Sequence, residues 1–521
     1  MSRALRNIFR LLVIARILAR HDALFPVERL GIARPLAVLA RLVAGRKVAG
    51  RPGARLADAF HALGPAFIKL GQVLSTRADL LGEEIAEDLS ALQDQLPPFS
   101  GAEARAIVAR ELGRPVEALF AEFDETPVAA ASIAQVHFAR IDAAADADAP
   151  AGALVAVKVL RPGIEAAFDR DLDLLRWLAE LAERRRPDLR RLRPVAVVET
   201  LAESVRMEMD LRLEAAAASE LRSNFAGDPT LRVPCVDWRR TARRVLTLER
   251  VGGIPVDERD ALKAAGHDVP RLLANAAALF FHQVFRDGFF HADMHPGNLF
   301  VETDGAIAAV DFGIMGRLDL ETRRYLARML VGFLQGDYRT VADVHFEAGY
   351  IPAEASRDAF MQACRAIGEP LLDRPLEEIS LARLLAQLFQ VTERFDMPTQ
   401  PQLLLLQKTM MVVEGIGRRL DPTVNVWDLS RPLIEDWMRA EMGPEARLRD
   451  AARRLAAGAE RLPGLLDRLD GALAGLGSDG LRLAPETVAA LRGEAAGNGS
   501  RAVWRWAGAA AILAFLLGLA L

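Results

Sequence analysis

Residues 291–298 read His291-Ala292-Asp293-Met294-His295-Pro296-Gly297-Asn298, and a short way on comes Asp311-Phe312-Gly313. Between them NLFVE and AIAAVDFG predict two short strands turning at Asp304-Gly305. Phosphoryl transfer asks little covalent help of a protein. It asks that phosphates and metal be held in line and that their charge be neutralised. On such a loop Asp293 suits the orienting of an attacking hydroxyl or water, and Asn298 suits Mg²⁺. Asp311, ahead of Phe-Gly and after a hairpin, suits the main metal ligand. Each piece alone is weak, and the three in this order are specific. The His-x-Asp-x-His spacing also invites a zinc reading. Asp293 and Asn298 fit a Mg²⁺-nucleotide site better, and Pro296-Gly297 fits a turn, so His291 and His295 are expected to hydrogen-bond the loop.

Upstream, VAVKV at 155–159 sets Lys158 in the middle of an apolar strand. A buried ammonium is costly without a partner. In the kinase arrangement such a lysine meets the nucleotide phosphates and a helix glutamate. The candidate glutamate is Glu214, in EMDLRLEAAAASE. No G-x-G-x-x-G precedes Lys158, and no Walker A motif occurs anywhere. The loop in that place is Ala129-Ala130-Ala131-Ser132-Ile133-Ala134-Gln135, where methyl groups replace the glycines that let backbone close on phosphates. This predicts altered nucleotide geometry, or merely an ordinary turn between strands.

The wider pattern is α+β. An amphipathic basic helix is expected at 1–25 and a helical extension at 26–125, where Ser100 is placed to cap a helix. Residues 126–253 predict a strand-rich small lobe with a helical insert broken near Arg186-Pro187. Residues 254–440 predict a helical large lobe, in which PQLLLL at 401–406 reads as a buried helix because Lys408 soon follows. A stalk at 441–500 and an apolar tail at 501–521 complete the chain. A mixed small lobe before a helical large lobe is the bilobal layout of a protein kinase.

Two terminal segments bear on location. In residues 1–20 arginines 3, 6, 10, 16 and 20 fall on one half of a helical wheel and leucines and Ile8 on the other. That suits either a helix on an anionic membrane surface or one packed on the main body with its arginines in water. From Trp506 to Leu521 the chain carries no charge. As a helix it would run roughly 24 Å against a hydrocarbon core of about 30 Å, with Trp504 and Trp506 at the interface and Arg501 and Arg505 on the cytoplasmic side. A transmembrane tail anchor is expected, following a Gly-Asn-Gly-Ser hinge. A net charge of −4 and a pI near 6.2 argue against nucleic acid as a partner. The two cysteines, Cys235 and Cys364, stand apart from each other and from histidine, so unpaired buried thiols in a reducing compartment are expected.

With these motifs in order, the sequence resembles the UbiB family of atypical, protein-kinase-like proteins. The family's Lys-x-Gly-Gln motif is matched by Lys69-Leu70-Gly71-Gln72, its Glu-x-Asp motif by Glu208-Met209-Asp210, and its Ala-rich loop by residues 129–135. The resemblance runs from about residue 60 to about 320, and more loosely to about 430. It implies that the Lys-x-Gly-Gln helices cover the place of a protein substrate, with Lys69 and Gln72 reaching toward the pocket near Glu208 and Asp210. It implies Lys158 and Glu214 as an ion pair, Asp293 as the catalytic-loop acid, Asn298 and Asp311 as Mg²⁺ ligands, and Glu249-Arg250-Val251-Gly252-Gly253 as the adenine hinge. ATP or ADP and Mg²⁺ would be the cofactors, and ATP hydrolysis in support of ubiquinone synthesis the activity. Membrane lipids, polyprenylated quinone precursors and other enzymes of that synthesis would be the partners, and a bacterial inner membrane with a cytoplasmic catalytic domain the location. Ala292, where protein kinases carry Arg, implies no switching by loop phosphorylation. Many bacterial relatives carry two C-terminal spans, whereas this sequence shows one. A small-molecule phosphotransferase and a nucleotide-binding scaffold without turnover are the alternative readings.

Overall fold

A computed structural model describes residues 3–25, 50–75, 82–90, 92, 96–141, 152–185, 194–370, 391, 394, 395, 397, 400–421 and 426–443. The expected anchor at 501–521 and nearly all of the stalk at 441–500 lie outside these residues. Among the described residues no helix is long and apolar enough to cross a membrane. Residues 1–438 form one compact unit and 439–521 a second. The first carries all the motifs.

Four helices lead the chain: α1 (Arg3–Arg20), α2 (Pro52–Leu63), α3 (Pro65–Ser75) and α4 (Glu83–Ser90). In α1, Ile14, Leu18 and Ala19 are buried in the main core, and the helix packs on α2. Of the two readings left open by the sequence, the packed helix is the one observed, with one correction. Arg10 is not in water: it grips both carboxylate oxygens of the buried Asp171 at 2.7 and 2.8 Å. The bidentate geometry is what makes that burial tolerable. Gly64, at φ +104°, ends α2, and Pro65 starts α3 in its place. Helix α5 (Gly101–Leu112) begins as expected at Ser100, whose hydroxyl accepts the Glu103 amide at 3.2 Å.

The small lobe is a five-stranded sheet. Its strands are β1 (Glu122–Phe123), β2 (Ala129–Ala130), β3 (Ala134–Arg140), β4 (Leu154–Leu160) and, later in the chain, β6 (Val245–Glu249). They pair antiparallel in the order β1-β3-β4-β6, with β2 also on β3. One face carries Val155, Val157, Val159 and Val245 against Ile107 and Val108 of α5. Helix α5 and β1, both within the 26–125 stretch, pack with this sheet. A two-residue edge strand has too short a pattern to be read from sequence.

Between β4 and β6 lie α6 (Ile164–Arg185), α7 (Pro194–Glu208), α8 (Leu211–Asn224) and the short β5 (Leu231–Arg232). The large lobe follows with β7 (Ile254–Pro255), α9 (Arg259–Ala264) and α10 (Val269–Phe281), the last running into a π-helical turn at His282–Asp287. Then come β8 (Phe289–His291), β9 (Leu299–Val301), β10 (Ile307–Ala309) and β11 (Met315–Arg317). β9 and β10 form the expected hairpin, and β5 adds to β10 in parallel. The rest is helical: α11 (Leu320–Leu334), α12 (Tyr338–Glu347), α13 (Arg357–Gly368), α14 (Pro401–Leu420) and α15 (Val426–Met442). As expected for a buried helix, α14 packs Leu403, Leu405 and Leu406 on the main core. It lies against α10 and β11. Cys364 is buried and Cys235 exposed, both free. The burial expected of Cys235 fails because it sits in the open stretch between β5 and β6.

Candidate functional site

Alternation along β4 sends Val155, Val157 and Val159 to the α5 side and leaves Lys158 on the opposite face. There its ammonium meets Glu214 of α8 at 2.8 and 3.0 Å and Asp311 at 3.1 Å. The Lys158 and Glu214 side chains are 13% and 7% exposed, whereas Asp311 is 45% exposed. Glu214 also accepts the Phe312 amide at 3.3 Å, so one carboxylate ties the small-lobe strand to the Asp-Phe-Gly segment. Burial works to lower Lys158, but the two carboxylates more than reverse it and hold the ammonium charged. Burial pushes Glu214 up, opposed by Lys158 and helped by the Asp311 charge. The Lys158 ammonium and the Gly313 amide hold the Asp311 carboxyl down at about 2.

Asp311 stands at φ +63°, in the left-handed region. Aspartate tolerates that region better than most residues, at a cost of about 1–3 kcal/mol. The cost is borne where the side chain must face Lys158 while Phe312, 1% exposed, turns into the core beside His291.

The loop from His291 to Asn298 holds itself together. His291 Nδ1 accepts the Asp293 amide at 3.2 Å and His295 Nδ1 accepts the Gly297 amide at 3.2 Å. Burial lowers His291, against the pull of Asp311 and Asp293. Both histidines thus serve the loop, as expected. The Asn298 amide nitrogen donates to the Asp293 carbonyl at 3.0 Å, which leaves Oδ1 as its donor atom for a cation. Asn298 Oδ1 and the open Asp311 carboxylate are hard oxygen ligands. They suit Mg²⁺, which takes few protein ligands and keeps positions for water and phosphate. Asp293 also meets a residue that nothing in the sequence marked as part of a site: Lys408 of α14, with Nζ at 3.3 Å from Oδ1.

The Ala-rich loop follows β2 and is fastened from behind. Arg161 donates to the carbonyls of Ala131, Pro97 and Leu96 at 2.8 to 3.1 Å. Arg161 opens an Arg-Pro-Gly stretch that by itself reads as a turn. A single arginine inside a turn signal leaves no trace of such long-range bonds. Ser132 is fully buried, and Ala134 joins the core. Gln135 corrects one expectation. Its register opposite Val159 puts its side chain on the α5 face, where it bonds the Phe99 backbone at 3.0 and 3.2 Å and His137 at 2.9 Å. At the expected hinge, Glu249 turns its carboxylate to Arg232 at 2.6 Å and the Cys235 amide at 3.2 Å. Val251 is half-buried beside it. That leaves backbone rather than the Glu249 side chain to face a base.

Of the motif in α3, Lys69 pairs with Glu208 at the end of α7 at 2.8 Å, the two side chains 9% and 12% exposed. Gly71 is required by contact: a Cβ there would lie 2.4 Å from Leu92 and 2.8 Å from Phe60. Gln72 is half-buried, and its carbonyl accepts the Ser75 hydroxyl at 2.7 Å. Asp210 caps α8, accepting the Arg212 amide, and pairs with the Arg212 guanidinium at 2.6 and 2.8 Å. A carboxylate just before a helix has orphan amides at hand.

Residues 91–345 match the ABC1 atypical kinase-like domain, and residues 364–425 match the UbiB helical domain, which includes Lys408. The chain is 44% identical over 432 residues to a Marinobacter nauticus protein named "Probable protein kinase UbiB", spanning 82% of this chain and 78% of that one. Among solved structures it is similar to the Mycobacterium tuberculosis protein Rv3197, described in complex with erythromycin. That likeness has a TM-score of 0.50 and 26% identity, and covers 71% of this chain and 92% of that one. The kinase-like α+β fold, the strand lysine held by a helix glutamate and this likeness over most of its length agree: the chain belongs to the UbiB family of atypical kinases.

Proposed function

We propose that this chain binds Mg²⁺-ATP at the junction of its lobes and turns it over in support of ubiquinone synthesis. The observation that carries the reading is Lys158 held between Glu214 and Asp311. A buried cation flanked by one structural and one open carboxylate is poised to take phosphate oxygens while Asp311 turns to a metal. In this reading Asn298 and Asp311 hold Mg²⁺, which neutralises phosphate charge when bound. The Ala-rich loop, with its main-chain groups from Ala129 to Ala134, lies over the phosphates, and the backbone near Glu249 and Val251 meets the base. Asp293 orients a water and takes its proton. The water oxygen bonds to the terminal phosphorus as the bond from that phosphorus to the bridging oxygen breaks, and ADP leaves with that electron pair.

Hydrolysis is favoured over protein phosphorylation by the seat of α3. Its Lys69–Glu208 bridge fastens the N-terminal helices to α7, where the family's helices cover the place of a protein substrate. The apolar tail motivates an inner-membrane location with the catalytic lobes on the cytoplasmic side. There the protein would mobilise polyprenylated phenol precursors from the lipid for the hydroxylating enzymes. The test is the quinone content of a strain lacking this gene, complemented with wild type or with Asp311→Asn. Low quinone with accumulated polyprenyl-phenol intermediates, restored by wild type alone, is expected. Normal quinone in the deletion strain overturns the pathway and favours a small-molecule phosphotransferase.

A further inference from the structure

The loop that would face the terminal phosphate carries no cation of its own. Its residues between His291 and Asn298 are Ala, Asp, Met, His, Pro and Gly. His295 is turned to its own turn, with Nδ1 accepting the Gly297 amide. Lys158 stands at Glu214 and Asp311, on the small-lobe side. Yet charge on a transferring phosphoryl group has to be met where the bond breaks, by donors already in place.

A cation does reach the loop, from far along the chain. Lys408 extends from α14 to Asp293, with Nζ at 3.3 Å from Oδ1. The pair has little to do with holding the fold. Its side chains are 47% and 34% exposed, the contact is long and single, and such pairs contribute little to stability. The helix is anchored without it, through Leu403, Leu405, Ile416 and Leu420 in the core. An ammonium has three donors, and Asp293 takes one of them. The others are left for an oxygen brought up to Asp293.

We propose that Lys408 is a phosphate-binding residue: it rests on Asp293 and takes an oxygen of the terminal phosphoryl group when a nucleoside triphosphate binds. The C-terminal helical domain then does more than brace the kinase-like lobes, since it completes the charge of the site. The inference rests on the nucleotide reading above.

The test compares wild type, Lys408→Met and Lys408→Arg for affinity to Mg²⁺-ATP, affinity to Mg²⁺-ADP, and steady-state phosphate release. Only ATP has the group Lys408 would touch. In Lys408→Met, turnover and ATP affinity are expected to fall, turnover by on the order of 10²-fold, with ADP affinity kept and Lys408→Arg recovering part of the loss. Three results overturn the proposal. An unchanged ATP-to-ADP preference with unchanged turnover removes Lys408 from the site. Faster turnover in Lys408→Met makes the lysine a block on Asp293. Equal loss of both nucleotides makes it a structural support. If wild type binds neither nucleotide, the nucleotide reading itself falls and takes this inference with it.

Discussion

Two lysines in this protein have nearly the same immediate surroundings and different uses. Lys69 and Lys158 are each almost buried, and each sits 2.8 Å from a glutamate on a neighbouring helix. What stands beside each pair differs. Lys158 also touches Asp311, which is open to solvent and held at a left-handed backbone angle. Lys69 faces Glu208, beside a glycine whose neighbours leave no room for a methyl group. The first arrangement keeps strain and an open carboxylate ready for a ligand. The second closes two helices on each other. An ion pair alone therefore says little about role, and what lies next to it says a great deal.

The comparison breaks if the two lysines fail in the same way. Lys158→Met is expected to reduce ATP turnover most, by about 10³-fold, read by phosphate release, with circular dichroism unchanged. Lys69→Met is expected to show first in stability. It strands Glu208 in a buried place at a cost of about 3 kcal/mol, read by urea denaturation, while the folded protein still binds ADP. The double variant Lys69→Met/Glu208→Leu should recover much of that loss, since the stranded charge is gone. Gly71→Ala sharpens the point without touching charge. The methyl group must displace Leu92 and Phe60, for about 1–3 kcal/mol, seen as a lower urea midpoint. Asp210→Ala is the smallest, about 1 kcal/mol from the lost cap of α8. If it instead lowers turnover more than stability, Asp210 has a part in the pocket that its contact with Arg212 does not reveal.

Much of the site is legible in the chain because local patterns carry it. Asp293, Asn298 and Asp311 lie on one loop and hairpin, and Lys158 interrupts an apolar strand. Glu214 is found by the same logic, since a helix beside that strand must supply a counter-charge. What was misread depends on contacts between distant segments. Gln135 sits one place along the strand from the cleft-side face, and strand alternation turns it to α5. Arg10 looks like a surface arginine until Asp171, far along the chain, takes it in.

From residues alone the kinase-like order of lobes, the loop chemistry and the family could be read, because strand and helix periods, turn residues and motif spacing are local properties of the chain. Which face each strand presents, that Arg161 fastens the Ala-rich loop, that Lys69 finds Glu208, and that Lys408 reaches Asp293 were decided only by tertiary packing. Those contacts join segments from tens of residues to more than a hundred residues apart. A side chain's partner at that range is set by how whole elements stack, not by its neighbours in sequence.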